Sequence, residues 1–339
     1  MTDLSGEKPS LAAEAPGAVD QPLAVLVTGP GTAIGRALIR YLYYDPAIRY
    51  IWAVGLEPRP YFFDQYDTQR FRYSRVDITR LRELKNLFYS SEFKDIEFDA
   101  VCHLAIRNRP DEQHPDMAHK LNVQGTRNVL DFSLEAPTIR KFIFRSSHAV
   151  YRADPMNPVF LDEQADLNFS PDADRWVRDR VDAELLCRAK MDDPRLKIVV
   201  LRFSNLVGRG VHQYMNAYIN SRVPLRPAGF NPMVNLLHVR DAVRAIELAL
   251  AKQDVAGVFN IVGKETGPLS EICRLNGHPA RSAPAGFVLK TLYRIQRRLR
   301  MTDFYYEADP NRLVYPILMD GTRAREVLGY EPQTHVELG

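Results

Sequence analysis

The chain has 339 residues, of which 45% are apolar and 26% are charged. These proportions are typical of a globular protein with a hydrophobic core. A formal net charge of +3 is too small to predict binding to nucleic acid or to a membrane surface.

The first 21 residues are rich in alanine, proline and acidic side chains, and Lys8 is their only basic residue. They contain neither the apolar run of a signal peptide nor the arginines of a transit peptide. We therefore expect a disordered tail over 1–21 and a cytoplasmic protein. The three cysteines, Cys102, Cys187 and Cys273, are widely spaced, which favours a reducing compartment and indicates neither a disulfide framework nor a metal site.

Seven short apolar runs recur along the chain, and stretches with helical period lie between them. Several of the runs are continuous rather than alternating, as expected for strands that are buried on both faces. The runs are AVLVTG (24–29), YIWAVGLE (50–57), RYSRVDI (72–78), DAVCHLA (99–105), KFIFRSS (141–147), KIVVLRF (197–203) and GVFNIVG (257–263). Alternation of strand and helix predicts an α/β protein with a doubly wound parallel sheet.

A cluster of glycines lies between the first strand and the first helix, in the stretch VLVTGPGTAIGRAL. Gly29 permits a tight turn, Gly35 lets the helix pack closely on the strand, and the helix start presents free N–H groups to a phosphate. Glu57 ends the second strand, where a carboxylate can accept a hydrogen bond from a ribose 2′-hydroxyl. This combination predicts a Rossmann-type dinucleotide-binding fold.

Two later stretches, 208–234 and 264–339, break the alternation of strand and helix. We expect them to form a smaller C-terminal substrate lobe over the carboxyl edge of the sheet, where ligands of doubly wound folds bind. Residues 22–207 are then the dinucleotide-binding domain, and the segment 235–263 returns to it.

Several motifs occur in an order that resembles the extended short-chain dehydrogenase/reductases, the class that contains NAD-dependent epimerases and dehydratases. The resemblance extends from about residue 24 to residue 332. Its motifs include TGPGTAIG (28–35), HLA (103–105), NVQGTRNVL (122–130), RSSHAVY (145–151), LRFSNLVGRG (201–210) and RAREVLGYEP (323–332).

The resemblance implies a cofactor, NAD, and assigns residues to it. The implied cofactor-binding residues are Thr28, Gly29, Gly31, Thr32, Ile34, Gly35, Glu57, Asp77, Ile78, Leu104, Ala105 and Arg180. It also places Asn122 at the family's structural asparagine and Ser147 at its catalytic serine. His148 and Asn205 are the implied residues of the substrate pocket, and Tyr151 occupies a non-catalytic position.

The glycine turn departs from the family pattern, because Thr32 stands at the middle glycine position and Gly31 is displaced by one residue. Two alternatives follow: the Thr32 hydroxyl donates to a phosphate, or the side chain blocks close approach. We expect NAD binding to be retained, with weakening by Thr32 as the open alternative. The charge of Glu57 disfavours the 2′-phosphate of NADP, although Arg59 lies close in sequence.

The catalytic pair of the family is a tyrosine and a lysine four residues later, which lowers the tyrosine pKa for proton transfer. Glu184 matches the glutamate that follows this pair, so Trp176 stands at the tyrosine position and Arg180 at the lysine position. None of the 16 tyrosines is followed by lysine four residues on. Because an indole cannot become an anionic base near neutral pH, this pattern predicts a degenerate active site.

The substrate is not identified by the sequence. Val234 stands where members that resemble UDP-galactose epimerase carry an arginine, and Arg312 lies near a second such position but out of register. The stretch 286–301 is a basic amphipathic helix with Val288, Leu292, Ile295 and Leu299 on one face. Such a helix either docks on a membrane or a partner or packs on the smaller lobe, and we favour packing.

Three functional hypotheses follow. The first is an NAD-binding protein without ordinary redox activity that serves as a scaffold, a sensor or a partner subunit. The second is an active epimerase, dehydratase or reductase in which a substitute such as His148 moves the proton. The third is an interaction protein that uses the basic helix. By resemblance, helices near 114–134 and 172–191 could pair into a homodimer.

Overall fold

The computed structural model describes residues 21–107, 114–208, 210–211 and 213–336. Of the predicted tail over 1–21, all but Gln21 lies outside these residues. No helix in the described ranges is long and apolar enough to cross a membrane.

The described residues form strands and helices that follow one another along the chain. The strands are β1 (Leu23–Thr28), β2 (Ile48–Gly55), β3 (Phe71–Arg75), β4 (Ala100–His103), β5 (Lys141–Ser147), β6 (Lys197–Phe203), β7 (Asn205–Val207), β8 (Leu225–Pro227), β9 (Met233–His238), β10 (Gly257–Ile261), β11 (Thr266–Pro268) and β12 (Arg281–Ala283). The helices are α1 (Ala33–Tyr44), α2 (Leu81–Phe88), α3 (Ser91–Ile96), α4 (Pro115–His119), α5 (Thr126–Glu135), α6 (Arg175–Arg188), α7 (Tyr214–Ile219), α8 (Val239–Ala251), α9 (Leu269–Leu275) and α10 (Phe287–Arg298). A π-helical turn, Lys120–Gly125, joins α4 to α5.

Seven parallel strands form the central sheet in the order β10-β6-β5-β4-β1-β2-β3. Each of the seven apolar runs in the sequence supplies one of these strands, so the predicted doubly wound parallel sheet is confirmed. The strand order reverses direction between β1 and β4. Ligands of such folds bind at the carboxyl ends of the strands at this point.

Side chains on both faces of the inner strands are buried, which explains why several of these strands, such as β1 and β4, are largely apolar without alternation. On β1, Val25 and Val27 join a core with α1 and α8, while Ala24 and Leu26 join a second core with α2, α5 and α6. Successive side chains of a strand point to opposite faces. A strand covered by helices on both faces therefore has no polar face.

The stretches that break the alternation supply most of a third core. Tyr214 and Tyr218 of α7, Tyr293 of α10 and Phe304 pack together through their rings, with centroids about 5 Å apart. A three-stranded sheet, in the order β11-β9-β7, contributes Val207, Val234 and Leu236 to this core. The division of the chain into two domains at the predicted boundaries stays a prediction.

Helix α10 packs through a different face from the predicted one. Its buried residues are Leu289, Tyr293 and Gln296, and the Tyr293 hydroxyl donates to the backbone oxygen of Leu225 at 2.7 Å. Of the four residues assigned to the apolar face, Leu292 is half-buried, whereas Val288, Ile295 and Leu299 are exposed. The prediction of that face was wrong, because two neighbouring stripes of this helix are apolar and the one with Tyr293 reaches the lobe.

Candidate active site

A cavity of about 300 Å³ lies at the carboxyl edge of the central sheet. Its walls come from the turn after β1, from the ends of β2, β4 and β5, and from β7 and the loop after it. The lining residues are Gly29, Gly31, Thr32, Ala33, Ile34, Arg36, Glu57, Ile106, Arg107, Arg145, Leu206, Gly210 and Val211. The cavity therefore lies where the glycine motif predicts a dinucleotide.

Two of the three glycines in the turn are required by close approaches of the backbone. Gly29 has a φ of 69°, and a Cβ at this position would lie 2.7 Å from Cα of Ala105. A Cβ on Gly35 would lie 2.3 Å from the backbone oxygen of Gly29. Any side chain at either position would displace the backbone, so the strand–turn–helix geometry depends on glycine here.

Thr32 is the N-terminal cap of α1. Its hydroxyl accepts a hydrogen bond from the Gly35 N–H and donates one to the Gly29 backbone oxygen, both at 3.0 Å. Its φ of −74° and ψ of 158° are extended, so no glycine is needed at this position. In this structure the Thr32 hydroxyl therefore donates its proton to the Gly29 backbone oxygen of the turn.

The displaced glycine makes room for the carboxylate at the end of β2. A Cβ on Gly31 would lie 3.1 Å from an Oε1 of Glu57, which leans over the turn. Arg59 faces away and donates to Asp64 at 3.1 Å. Arg36, which the sequence reading did not single out, lines the cavity and donates to the Gly31 backbone oxygen at 3.3 Å. The cavity mouth thus carries one acidic and one basic side chain.

Thr28 joins the end of β1 to the segment after β4. Its hydroxyl oxygen accepts the N–H groups of Leu104 and Ala105, each at 3.2 Å. These contacts hold Ala105 against Gly29. Thr28 and Leu104 are buried and do not line the cavity, so their side chains support the lining residues from behind.

A chain of hydrogen bonds runs behind this wall through His103. Its Nδ1 lies 2.8 Å from the Thr28 hydroxyl and its Nε2 lies 2.9 Å from the Thr126 hydroxyl, which donates to the Asn122 backbone oxygen at 2.6 Å. Burial lowers the pKa of His103 to about 3, so the ring is neutral. The directions of these bonds assign the proton to Nε2. His103 is therefore a fully bonded structural residue.

Asp77 and Ile78 lie beyond the cavity lining at the end of β3. The Asp77 carboxylate accepts from the Thr79 N–H at 3.0 Å and lies 3.2 Å from Arg80 Nε. The Ile78 backbone oxygen accepts from Asn128 of α5 at 2.9 Å, and its side chain is buried. Their contact with an adenine ring stays a prediction.

Ser147 ends β5, and its hydroxyl accepts the Ala149 N–H at 3.1 Å. His148 Nδ1 lies 3.5 Å from this hydroxyl and 3.3 Å from the Phe203 backbone oxygen. Burial, helped by the charges of Arg312 and Arg180, lowers the pKa of His148 to about 3. The imidazole is therefore neutral and a weak proton acceptor at physiological pH.

Trp176 lies in the first turn of α6, and Arg180 lies one turn later on the same face. The Arg180 guanidinium lies 5.0 Å from the centroid of the Trp176 ring, which stacks on Tyr214 at 5.4 Å. Trp176 belongs to the third core, and its Nε1 has no hydrogen-bond partner among the described residues. The indole thus joins α6 to α7 by packing.

Arg180 and Asn122 hold the same piece of backbone. Arg180 Nη2 donates to the Arg107 backbone oxygen at 2.6 Å, and Asn122 Oδ1 accepts the Arg107 N–H at 2.8 Å. Asn122 lies in the π-helical turn, Lys120–Gly125, a kind of distortion that often occurs at functional sites. Arg107 lines the cavity, so both side chains position its wall.

Arg145 is another lining residue that the sequence did not indicate. It lies two residues before Ser147 on β5, so both side chains project from the same face of the strand. That spacing was the available signal, because a charged residue inside an otherwise buried run is unusual.

The two residues considered for substrate binding have other surroundings. Asn205 is buried, donates to the Asn235 backbone oxygen at 3.1 Å and does not line the cavity. Arg312 pairs with Asp309 at 2.5 Å and also donates to a backbone oxygen of the segment after β5. The predicted role of Asn205 in a substrate pocket is neither supported nor opposed by these contacts.

Glu184, which set the register for Trp176, lies at the centre of a buried network. Its carboxylate accepts from Ser146 at 2.6 Å and pairs with Arg202 of β6 at 2.5 Å. Arg202 also donates to the Tyr151 hydroxyl at 2.6 Å, which donates in turn to Asn260 at 2.8 Å. The Tyr151 hydroxyl is thus hydrogen-bonded to Arg202 and Asn260 and not to Ser147. Within the described residues, no tyrosine hydroxyl is hydrogen-bonded to Ser147.

Comparison with known proteins gives the same family from sequence. The profile of the NAD dependent epimerase/dehydratase family matches residues 25–262. An uncharacterized protein of Mycobacterium tuberculosis is 30% identical over 317 residues, which cover 92% of this chain and 81% of the relative. The dTDP-glucose 4,6-dehydratase of Haemophilus influenzae is 25% identical over 285 residues, which cover 77% of this chain and 81% of the enzyme.

Solved structures share the fold over nearly the whole length. A dTDP-glucose 4,6-dehydratase from Streptomyces venezuelae with NAD and TYD bound has a TM-score of 0.70 at 18% identity, covering 92% of this chain and 93% of that one. A UDP-glucuronic acid 4-epimerase from Bacillus cereus, in complex with UDP-glucuronic acid and NAD, has a TM-score of 0.67 at 18% identity, covering 92% and 95%. Together with the family profile, these findings show that the chain belongs to the NAD-dependent epimerase/dehydratase family.

Proposed function

We propose that the chain binds NAD in the cavity and lacks the phenol-dependent proton transfer of its family, so that it serves as a scaffold, a sensor or a partner subunit. The observation that carries the proposal is the placement of Trp176. Its indole is packed in an aromatic core under the guanidinium of Arg180. An indole, whose N–H is only a hydrogen-bond donor, can pack in that position but cannot act as an acid–base catalyst.

The residues around the glycine turn fit a dinucleotide. The first-turn N–H groups of Ala33 and Ile34 lack the intrahelical partners that later residues have, and both residues line the cavity. Together with the positive end of α1, they suit a pyrophosphate. Glu57 can accept from a ribose hydroxyl and disfavours a 2′-phosphate, whereas Arg36 would attract one. We therefore expect a preference for NAD over NADP that is modest.

NAD supplies hydride transfer when it is bound, and this chain's residues would surround the reacting end without completing the acid–base pair. Ser147 can hold a substrate oxygen. Arg180 keeps a positive charge where the family has lysine, and it positions the Arg107 backbone. No residue in these positions offers a titrating phenol. We expect bound substrate to be held without turnover.

The alternative is an active enzyme in which His148 moves the proton. Its support is the 3.5 Å separation of His148 Nδ1 from the Ser147 hydroxyl. Against it stands the pKa of His148, lowered to about 3 by burial and by neighbouring arginines, which leaves little driving force for proton uptake. If this alternative holds, His148→Ala and Ser147→Ala must each reduce a measured activity.

The binding half of the proposal is tested by calorimetric titration of the purified chain with NAD⁺ and NADP⁺. We expect NAD⁺ to bind and Gly29→Ala to weaken binding at least ~10-fold, because the added Cβ meets the Ala105 backbone. The matched control is Gly277→Ala, since Gly277 is an exposed glycine with a φ of 75° and open space around it. Wild-type protein that binds neither dinucleotide would contradict the proposal.

The catalytic half is tested by incubating the chain with NAD⁺ and with dTDP-glucose or UDP-glucuronic acid, the sugars that the similar structures and enzymes are named for. We expect no product by mass spectrometry. Turnover at about 1 per second or faster, a rate ordinary for enzymes, would reject the proposed loss of chemistry.

We also propose a homodimer through α4, the turn after it, α5 and α6. These elements contact one another through an ion pair of Asp116 with Arg175 and a hydrogen bond between His119 and Asp179, each at 2.7 Å. Light scattering should give a dimer mass that falls toward the monomer for Met117→Asp, whose side chain is exposed on α4. Met156→Asp, also exposed but after β5, is the control. A monomeric wild-type chain ends this proposal.

A further inference from the structure

Three buried arginines lie around the carboxyl end of β5, and within the described ranges only Arg312 has a counter-ion. Arg312 pairs with Asp309 and donates to two backbone oxygens. Neither Arg145 nor Arg180 forms an ion pair with any described residue. Burial without a charged partner among the described residues is what sets these two guanidinium groups apart.

Arg145 is the more isolated of the two. Only 5% of its surface is exposed, and its Nη1 is buried without a hydrogen-bond partner in the described part of the chain. It nevertheless lines the cavity, together with the glycine turn on the other side. Burial without a compensating charge lowers its pKa to about 10. A charged group in this situation is costly for the fold unless something pairs with it.

Arg180 adds a second positive charge close by. It is 3% exposed, uses Nη2 on the Arg107 backbone oxygen, and leaves Nε without a partner among the described residues. Burial, with the charges of Arg145 and Arg312, lowers its pKa to about 9. Arg180 does not line the cavity, so it adds positive charge behind the wall rather than a direct contact with a ligand.

The acidic residue that lines the cavity is too far away to neutralise this pair. Glu57 is the one carboxylate among the lining residues, and it follows β2. The sheet order places β4 and β1 between β5 and β2, so three strand spacings, about 14 Å, separate the two strands. No carboxylate among the described lining residues therefore lies beside the charge at the β5 end.

We propose that Arg145 binds an oxyanion, a phosphate or a carboxylate, inside the cavity at the carboxyl end of β5, with Arg180 adding positive charge behind the cavity wall. The planar guanidinium donates two parallel hydrogen bonds to such groups, and in a buried cavity these bonds are strong. Two sources share this chemistry: a phosphate of the dinucleotide itself, or the anionic group of a second ligand that lies next to it. The site does not depend on the proposed loss of proton transfer.

The test is calorimetric titration of the full-length chain with inorganic phosphate, without dinucleotide and then at saturating NAD⁺. We expect Arg145→Met to weaken phosphate or NAD⁺ binding about 10- to 100-fold, the effect of losing one or two charge-assisted hydrogen bonds. Arg145→Lys keeps the positive charge but loses the paired donors of the guanidinium, so it should weaken binding less. It also provides a second test if the methionine variant does not fold. Arg274→Met removes an exposed arginine paired with Glu271 and should change nothing.

The two titrations separate the sources of the anion. If the dinucleotide supplies it, Arg145→Met weakens NAD⁺ binding and NAD⁺ displaces phosphate. If a second ligand supplies it, phosphate still binds to the NAD⁺-saturated chain, and the same variant affects phosphate alone. Folded Arg145 variants that bind both phosphate and NAD⁺ as tightly as the wild type overturn the proposal. A wild type that fails to bind NAD⁺ refutes the proposed function and leaves the phosphate titration as the test of this site.

Discussion

At the scale of single residues, the glycine turn shows how a departure from a family pattern can be compensated locally. Thr32 replaces a glycine, yet its extended backbone needs none, and its hydroxyl bonds both to Gly35 and to Gly29. The neighbouring Gly31 has no side chain, and the Glu57 carboxylate lies against the position that a Cβ would take there. The sequence revealed both substitutions, but only the geometry shows that they belong together.

The cap predicts a measurable loss of stability. Thr32→Ala removes the acceptor for the Gly35 N–H and should lower the free energy of unfolding by ~1 kcal/mol, as is usual for N-terminal caps. Thr32→Ser keeps the hydroxyl and is the control. Urea denaturation followed by circular dichroism measures both variants. An alanine variant as stable as the serine variant would mean that the hydroxyl does not cap α1.

At the scale of elements, helix α8 carries a carboxylate toward the core against α1. Glu247 is 4% exposed and lies 3.8 Å from Arg244. Burial raises its pKa to about 7, with the charge of Asp45 adding to the effect and that of Arg244 opposing it. The folded chain therefore holds a proton that the unfolded chain, with the ordinary pKa of 4.5, releases earlier.

This difference in pKa sets the sign of a pH dependence. Between about pH 4.5 and pH 7 the folded state binds more protons, so the contribution of Glu247 to stability is lost as the pH rises through that window. Glu247→Gln should thus stabilise the chain at about pH 8 by on the order of 1 kcal/mol and hardly at about pH 5. Thermal melts at both values measure it, with the exposed Glu326→Gln as control. An equal shift at both pH values would exclude titration of Glu247 as the cause.

Elements differ in how far the sequence predicts them. The seven strands of the central sheet lie in the seven short, largely apolar runs, so their positions follow from the local sequence pattern. Strands β7, β8, β11 and β12 have three residues each, too few to show a period, and they were not foreseen. Helix α10 was foreseen, but its orientation depends on the hydroxyl of Tyr293 reaching the Leu225 backbone, a tertiary contact that no helical pattern contains.

At the scale of the whole molecule, the cavity draws its walls from segments far apart in sequence, from Gly29 to Val211. The glycine end was predictable because its motif is local and each residue has a steric reason. The opposite end was not, because the isolation of Arg145 depends on which residues surround it in three dimensions. Trp176 is an intermediate case. Its place at the tyrosine position could be predicted from its spacing to Glu184, but its stacking on Tyr214 could not be predicted from the sequence.

The buried network around Glu184 affects how chains of this kind can be sorted by function. Glu184 of α6 binds Ser146 of β5 and Arg202 of β6, and Tyr151 links Arg202 to Asn260 of β10. Removing one member of a buried ion pair typically costs about 3 to 5 kcal/mol, whether or not the chain is catalytically active. A sequence search that scores the positions of this network therefore detects the fold and not the activity. A survey for active enzymes should first compare the residues at positions 176 and 180.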